Sequence, residues 1–535
     1  MKRDEWQQSE RKEKPLEEEQ SAYIGERYRG REKEARTMVE TLAILITLLV
    51  FLLILYLLKQ LWSHSSYPPG PLRLPFVGSV WKLGITLLKD SFIKLVKEYG
   101  NVYMLWLGPE PIVVLSGYEA VKEGLINQSE LFADRPATPF IEAIAKERGI
   151  IFSNGHTWKQ QRKFGLASMR KLGLGKKGME HQIQEEAHQL VEMFTLAKGQ
   201  PLDPAVAITN SVTNVICAVA FGCRFSAEDK EFLKLVEAVD CITKFPSSGF
   251  HTLYAIVPWL MKYLPGPHRK ALASVDIIHS FARKELEKHK ESLAVHEPQD
   301  FIDFYLCQMK KSKNDPKSTF NKNNLTQCIF DLFIAGSETT ALTLQWALLL
   351  MANHPDIQEK VHKEIEDVLG SSRPFSYQDW KKLPYTNAVI HEIMRSEYIL
   401  LFGLPRQCTK DVKMFGFLIP KEAAIFPDLR SALFDPKQWE KPQEFNPNHF
   451  LDKDGKFVDR EAFLPFGAGA RVCLGEQLAR IEIFIFFTTL LRAFTFQPPE
   501  GVKELGTEAN IGVTCPPRPY KLCAVPRCSA ASRLK

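Results

Sequence analysis

A mainly α-helical body with small β-sheets, preceded by one membrane-crossing helix, is the fold class the sequence predicts. Three observations predict it: an uncharged apolar run near the N-terminus, a series of long segments with helical apolar spacing, and only two stretches with strand character. The chain is 45% hydrophobic and 25% charged, the make-up of a core-forming protein rather than a disordered or collagen-like one. Lys+Arg minus Asp+Glu is 69 − 63, a net charge of +6. That balance suits an anionic membrane surface or an acidic partner and is too weak to point to nucleic acid. The 10 cysteines contain no C-x-x-C pair, which excludes zinc-ribbon and thioredoxin-type chemistry and leaves a reduced compartment as the default.

Thr41–Leu58 carries no charge and as a helix reaches about 27 Å, enough to cross a bilayer. A cleaved signal peptide is the rival reading. Its apolar part is shorter and ends at a small-residue site, whereas Lys59 and Trp62 follow here. The organisation expected is therefore a charged, disordered extension over 1–37, an anchor over 38–62, a proline-rich linker over 63–76 and one body over 77–535. Tyr67-Pro68-Pro69-Gly70-Pro71 stiffens the linker, because proline fixes φ and restricts the residue before it. Residues 1–37 hold 10 basic and 10 acidic side chains, and such a segment cannot offset its ordering entropy. Arg27, Arg29, Arg31, Lys33 and Arg36 outnumber Lys59 and Arg73 as flanking cations, which would hold the N-terminus in the cytosol and send the body to the lumen. A start at Met38 reverses this and leaves the body cytosolic.

Val102–Leu107 and Ile112–Leu115, around Gly108-Pro109-Glu110-Pro111, read as a β-hairpin, and Asp411–Phe426 as a second β-like patch. Helical spacing covers Ser91–Tyr99, His156–Met169, Lys177–Lys198, Asp203–Ala220, Asp276–Leu293, Leu325–Ala352, Pro355–Leu369, Tyr385–Arg395 and Gly475–Phe494.

The sharpest chemical signal is Phe466-Gly467-Ala468-Gly469-Ala470-Arg471-Val472-Cys473-Leu474-Gly475. Glycines on both sides of one cysteine let the backbone turn tightly and aim N–H groups at the sulfur. The helix that follows brings its positive dipole end to the same atom, favouring a thiolate. A second motif, Ala335-Gly336-Ser337-Glu338-Thr339-Thr340, lies within a helix of about 42 Å. There Gly336 removes a side chain and Thr339 can bond back to the preceding turn and open it. Glu338 and Thr339 form an acid–alcohol pair suited to proton relay. Glu392 and Arg395, three apart, share a helical face and can pair. Trp158 and Arg162, four apart, can present an indole N–H and a guanidinium to one anion. Gly173-Leu174-Gly175-Lys176-Lys177-Gly178 is a literal G-x-G-x-x-G, but no strand precedes it, so it is set aside.

These motifs together resemble the cytochrome P-450 family of haem-thiolate monooxygenases, over residues 67–526. The nearest likeness is to the microsomal group that oxidises xenobiotics and fatty acids, in particular its arachidonate-epoxidising branch. Leu264-Pro265-Gly266-Pro267-His268 and the run from Cys473 to Arg480 carry that finer likeness. The resemblance implies the cytochrome P-450 fold with haem b (iron protoporphyrin IX) and Cys473 as axial ligand. Around it Phe466, Gly469 and Gly475 would shape the ligand loop, and Trp158, Arg162 and Arg471 would bind the propionates, with Arg135 and Arg406 as further candidates. Glu338 and Thr339 would be catalytic, and Glu392, Arg395 and His449 would form a structural lock near the haem. It further implies an NADPH-dependent flavoprotein reductase as electron source, a small haem protein as an alternative donor, lipophilic substrates and the cytosolic face of the endoplasmic reticulum. Phe140, Ile144, Phe330, Phe333 and Phe402 suggest an apolar cavity and read equally well as ordinary core residues.

The pattern is broken at Ser396-Glu397, where an aromatic or apolar residue is usual, at Leu401 in place of proline, and at Glu422 in place of glycine. Those departures keep two alternatives in view, a haem-binding protein without turnover and a reductase-independent haem-thiolate isomerase. For the N-terminus, the expectation is a working protein that begins at Met38. Mass spectrometry of the native protein should then detect no peptide from residues 4–36.

Overall fold

The structure is a computed structural model. It describes residues 33–56, 66–74, 78–83, 89–172, 177–292, 297–370 and 374–527, together with Arg27, Gly30 and Arg31. The charged stretch before residue 27, the Lys59–Ser65 flank and the Gly173–Lys176 glycine run lie outside the described residues. Two units are present, Met1–Tyr67 and Pro68–Lys535.

In the first unit one helix covers Lys33–Tyr56, long and apolar enough to cross a membrane. It begins inside the segment expected to be disordered. Lys33, Glu34, Ala35 and Arg36 are good helix formers and continue the apolar helix backwards rather than ending it.

In the second unit the predicted hairpin forms between Val102–Leu107 (β1) and Glu110–Ser116 (β2), paired from Val102↔Leu115 to Leu107↔Glu110. Arg406–Gln407 (β3) and Ala424–Asp428 (β4) extend it to a sheet of order β1-β2-β4-β3. β4 runs parallel to β2 and antiparallel to β3, so Arg406 faces Ile425. The Asp411–Phe426 patch thus divides. Val412–Met414 and Phe417–Ile419 form a separate hairpin through Phe415 and Gly416, both at positive φ as a tight two-residue turn requires.

Helices make up the rest. Those that position the site are Gly155–Lys171 (α1), Ala205–Phe221 (α2), Lys230–Lys244 (α3), Lys322–Asn353 (α4), Pro384–Ser396 (α5) and Glu476–Ala493 (α6). The segment expected over Asp276–Leu293 instead spans Pro267–Ser292, because Pro267 is preset for a first helical position. α3 and Phe301–Lys311 were not foreseen, although Asp229 and Asp300 cap their N-termini through side-chain oxygens. α4 runs through the core, with Trp346 and most of its C-terminal half buried.

Glu392 and Arg395 of α5 form a bidentate pair at 2.7 and 2.7 Å, with both side chains 0% exposed. The remaining guanidinium hydrogens go to the carbonyls of Leu433, Pro442 and Glu444 at 2.9, 2.8 and 3.0 Å. Glu392 also accepts from the Asn446 amide at 2.8 Å, and His449 Nδ1 lies 3.1 Å from its oxygens. One buried pair thereby ties α5 to the 433–449 segment, and every donor on it is used.

Glu422 lies exposed at φ 67°. Its amide donates to the Cys408 carbonyl at 2.8 Å, which holds the residue in the left-handed region at a cost of about 1 kcal/mol or more. Glu422→Gly should therefore raise the thermal midpoint, read by circular dichroism. Arg395→Leu strands a buried carboxylate and should cost about 3–5 kcal/mol, seen as loss of folded protein on expression.

Candidate functional site

The cysteine loop is built around two glycine-dependent turns. Gly467 and Gly469 sit at φ 72° and 71°. A β-carbon on Gly469 would lie 1.7 Å from the Leu125 carbonyl oxygen, so no other residue fits there. The Ala470 amide donates to Ser129 Oγ at 2.7 Å, and the Cys473 amide closes onto the Phe466 carbonyl at 3.0 Å. The sulfur itself opens onto an internal cavity also lined by Phe466 and Gly475. Burial pushes the Cys473 thiol up, while the amides of Gly475 and Glu476 and the charge of Arg162 draw it down. These amides belong to the first turn of α6, the dipole end expected from the sequence.

Four arginines, from four different parts of the chain, line the same cavity: Arg135, Arg162, Arg406 and Arg471. Arg471 donates to the carbonyls of Ala133 and Ser153 at 2.7 and 2.7 Å and lies 3.9 Å over the Trp158 ring. Arg135 donates to Ile151 and Leu404 carbonyls at 3.0 and 2.9 Å. Arg162, from α1, donates to the Val472 carbonyl at 2.7 Å. Arg406 Nε is buried without a partner among the described residues, as is Trp158 Nε1. Burial first, then the neighbouring Arg135, presses Arg471 down to about 8. Burial and Arg162 press Arg135 down to about 9. A guanidinium keeps its proton in a protein, so this pressure is a standing electrostatic cost that an anion in the cavity would relieve. Trp158 does not line the cavity itself; its indole N–H is the orphan beside it.

A haem fits this donor set. The guanidiniums and the orphan N–H groups of Trp158 and Arg406 suit its two carboxylates, and Cys473 suits its iron, since a coordinating thiol loses its proton outright.

α4 supplies the opposite wall. Ala335, Gly336 and Thr339 line the cavity, and Thr339 Oγ1 donates to the Ala335 carbonyl at 2.7 Å. A β-carbon on Gly336 would meet Ile216 of α2 at 2.3 Å. Glu338 faces elsewhere: it is not among the lining residues, and its Oε1 accepts from Thr514 at 2.8 Å. The structure thus separates the expected acid–alcohol pair onto two sides of α4.

None of the expected pocket residues lines the cavity. Phe402 packs on Phe92 and Phe426, Phe140 on Phe245, and Phe333 on Phe221, while Ile144 and Phe330 are core. The apolar wall comes instead from residues such as Ile150, Ile216, Val219 and Leu400.

Asp331 was missed. Its Oδ2 accepts from the amides of Ile150 and Ile151, the latter at 3.0 Å, and burial raises its carboxyl to about 6. It fixes the segment whose carbonyls receive Arg135 and Arg471. The signal was available: one carboxylate inside Ile329-Phe330-Asp331-Leu332-Phe333.

The cytochrome P450 family model matches residues 68–524. Cytochrome P450 2J2 of Homo sapiens is 43% identical over 490 residues, 92% of this chain and 97% of that protein. Cytochrome P450 2J5 of Mus musculus is 43% identical over 493 residues, 92% of this chain and 98% of that protein. Cytochrome P450 2B4 of Oryctolagus cuniculus is 41% identical over 475 residues, 88% and 97% of the two. Matched by the family model across its body and by relatives over nearly their full length, the chain belongs to the cytochrome P450 family and is a haem-thiolate monooxygenase.

Proposed function

We propose that this protein oxygenates lipophilic substrates, polyunsaturated fatty acids such as arachidonate and apolar xenobiotics, by epoxidation or hydroxylation. Electrons come from NADPH through a separate flavoprotein reductase, with a small haem protein as an alternative donor, on the cytosolic face of the endoplasmic reticulum. The observation that carries the reading is one cavity lined by both the Cys473 sulfur and four guanidiniums without a carboxylate partner.

When bound, haem supplies reductive activation of dioxygen, with thiolate donation favouring O–O cleavage. The chain's own residues do the rest. The amides of Gly475 and Glu476 stabilise charge on the sulfur and moderate its donation. Arg135, Arg162, Arg406 and Arg471 would hold the ring through its carboxylates. Gly336 lets Ile216 of α2 pack close against α4 beside the cavity, and Thr339 lines it with its hydroxyl bonded to the Ala335 carbonyl. The apolar wall orients the substrate and keeps bulk water out. Net, RH, O2, two electrons and two protons give ROH and one water.

The chain offers no flavin- or nicotinamide-binding motif that survives scrutiny, which supports an external reductase. The apolar helix Lys33–Tyr56 supports membrane attachment. The likeness to the arachidonate-epoxidising branch supports the substrate class, and the apolar lining agrees with it.

The reduced protein with carbon monoxide should show the red-shifted Soret band of a thiolate-ligated haem, and Cys473→Ala should abolish it. With purified reductase, NADPH and arachidonate, oxygenated product should appear by mass spectrometry. A normal thiolate spectrum without any product across a lipophilic panel would reduce the protein to a haem carrier.

A further inference from the structure

Monooxygenation consumes two protons and releases one water per dioxygen, so polar traffic must cross an otherwise apolar wall. Three carboxylates line the cavity among the described residues: Asp331, Glu397 and Glu482. Asp331 is engaged by the amides of Ile150 and Ile151 and by Gln327. Glu482 is 1% exposed, and burial alone holds its carboxyl far above the usual range. Glu397 differs from both, because it also lines a second chamber.

That chamber measures about 390 Å³. Its floor is the buried trio Trp346, Tyr398 and Cys515, and exposed Thr507, Glu508 and Arg518 stand at its mouth. The two cavities share Glu397, Tyr398 and Leu400, so the wall between them is this one stretch of chain. Its construction follows from hydrogen bonding. α5 ends at Ser396, and the Glu397 amide closes the last turn on the Ile393 carbonyl at 3.0 Å. The chain beyond then pairs with a second segment: Cys515 N donates to the Ile399 carbonyl at 2.7 Å, and Leu401 N to the Val513 carbonyl at 3.1 Å. The residues leading into that pairing, 507–511, form the outer rim.

The chamber is polar at both ends. Glu508 and Arg518 pair at the mouth. Within, Arg430 stacks on Phe434 at 4.6 Å and feels the charge of Glu397. The Tyr398 hydroxyl is buried with no hydrogen-bond partner among the described residues, a polar atom in the floor that a water molecule would satisfy. Charges of both signs, two acids and two arginines, suit water and protons rather than an ion of one sign.

We propose that this chamber is a polar conduit between solvent and the haem cavity, with Glu397 as the residue at its inner end that passes water and protons. The proposal rests on the haem reading above. It assigns a purpose to one of this chain's departures from the family pattern: an acid at position 397 places a hydrated, proton-exchanging group in a wall that an apolar residue would seal. Glu338, directed toward Thr514 on the other side of α4, serves a different face.

The test measures ligand entry in stopped flow, on the full chain with haem bound, with cyanide as polar probe for the ferric protein and carbon monoxide as apolar probe for the ferrous one. Thr507→Trp, at an exposed position, narrows the mouth, and Glu397→Leu dries the inner end. Each should slow cyanide association by about five-fold or more while carbon monoxide association stays within about two-fold. Glu397→Gln, which keeps a hydrogen-bonding side chain, should retain most of the cyanide rate. Cyanide rates equal to the parent in both Thr507→Trp and Glu397→Leu, with the thiolate-haem spectrum intact, overturn the conduit. Equal slowing of both probes also overturns it, since that reports a general closing of the cavity. If Glu397→Leu fails to hold haem, Thr507→Trp decides alone. A parent protein without a thiolate-haem spectrum would sink the haem reading instead, a separate result.

Discussion

Four guanidiniums packed around one cavity, none paired with a carboxylate among the described residues, set the terms for this fold. An isolated buried charge costs several kcal/mol even after relaxation, and here each arginine also raises the cost of its neighbours. The chain meets part of that cost with main-chain dipoles. Carbonyls of Ala133, Ile151, Ser153, Leu404 and Val472 all turn toward guanidinium hydrogens. Carbonyls carry only partial charge, however, and two donors, Arg406 Nε and Trp158 Nε1, find no partner among the described residues. Such an arrangement is stable in full only with an anionic cofactor between its arms, so folding and cofactor binding are energetically linked. A bidentate Arg–carboxylate contact is also directional, which lets the same groups that supply affinity fix the ring's orientation over Cys473.

The lock between Glu392, Arg395 and His449 works by the opposite logic. There the charges are matched within the protein, every guanidinium hydrogen is placed, and nothing is left for a ligand. Its product is rigidity, because α5 and the 433–449 segment cannot shift without exposing a fully desolvated pair. The two buried charge systems differ in their donors: in one every guanidinium hydrogen is placed, and in the other two donors are orphaned among the described residues, which is what a ligand would satisfy.

Sequence made the candidate ligand loop legible because the constraint there is local. Gly467, Gly469 and Cys473 lie within seven residues, and the steric demand at Gly469 leaves no alternative residue. The Glu392–Arg395 pair and the helix beneath it were legible for the same reason, since i,i+3 spacing is a property of a single helix. Arg135 and Arg406 gained meaning only through resemblance. They reach the cavity by β3 pairing with β4 and by the turn at Ile150–Ser153, and no local pattern encodes those long-range contacts. The aromatics that read equally as cavity lining or core were decided by the same long-range packing. Phe140, Phe333 and Phe402 have the residue type of a lipophilic cavity, yet packing sends them into aromatic clusters, and smaller aliphatic residues face the opening. The two members of the acid–alcohol pair lie differently: Thr339 lines the cavity, whereas Glu338 accepts from Thr514, a placement that depends on which segments pack against each side of α4 and not on local spacing.

α4 is where the two halves of the chemistry meet. Asn324, Gln327 and Asp331 fall at i, i+3 and i+7 and so lie on one face. From that face Asn324 holds the Gly149 amide at 3.1 Å and Asp331 holds the amides of Ile150 and Ile151. Gly149 is needed beside them, for at φ 78° a β-carbon would come within 2.3 Å of Asp331 Oδ2. Two turns further along, Gly336 and Thr339 shape the groove. A single continuous helix of 32 residues therefore sets both the segment that receives Arg135 and Arg471 and the surface on which dioxygen would be handled. Because a helix of this length is stiff over its buried turns, the distance between cofactor cradle and oxygen groove is fixed by covalent geometry rather than by loop packing. The segment from Ser396 to Leu401 thus departs from the family pattern while the donor set around Cys473 stays intact, because the two walls of the cavity belong to different elements.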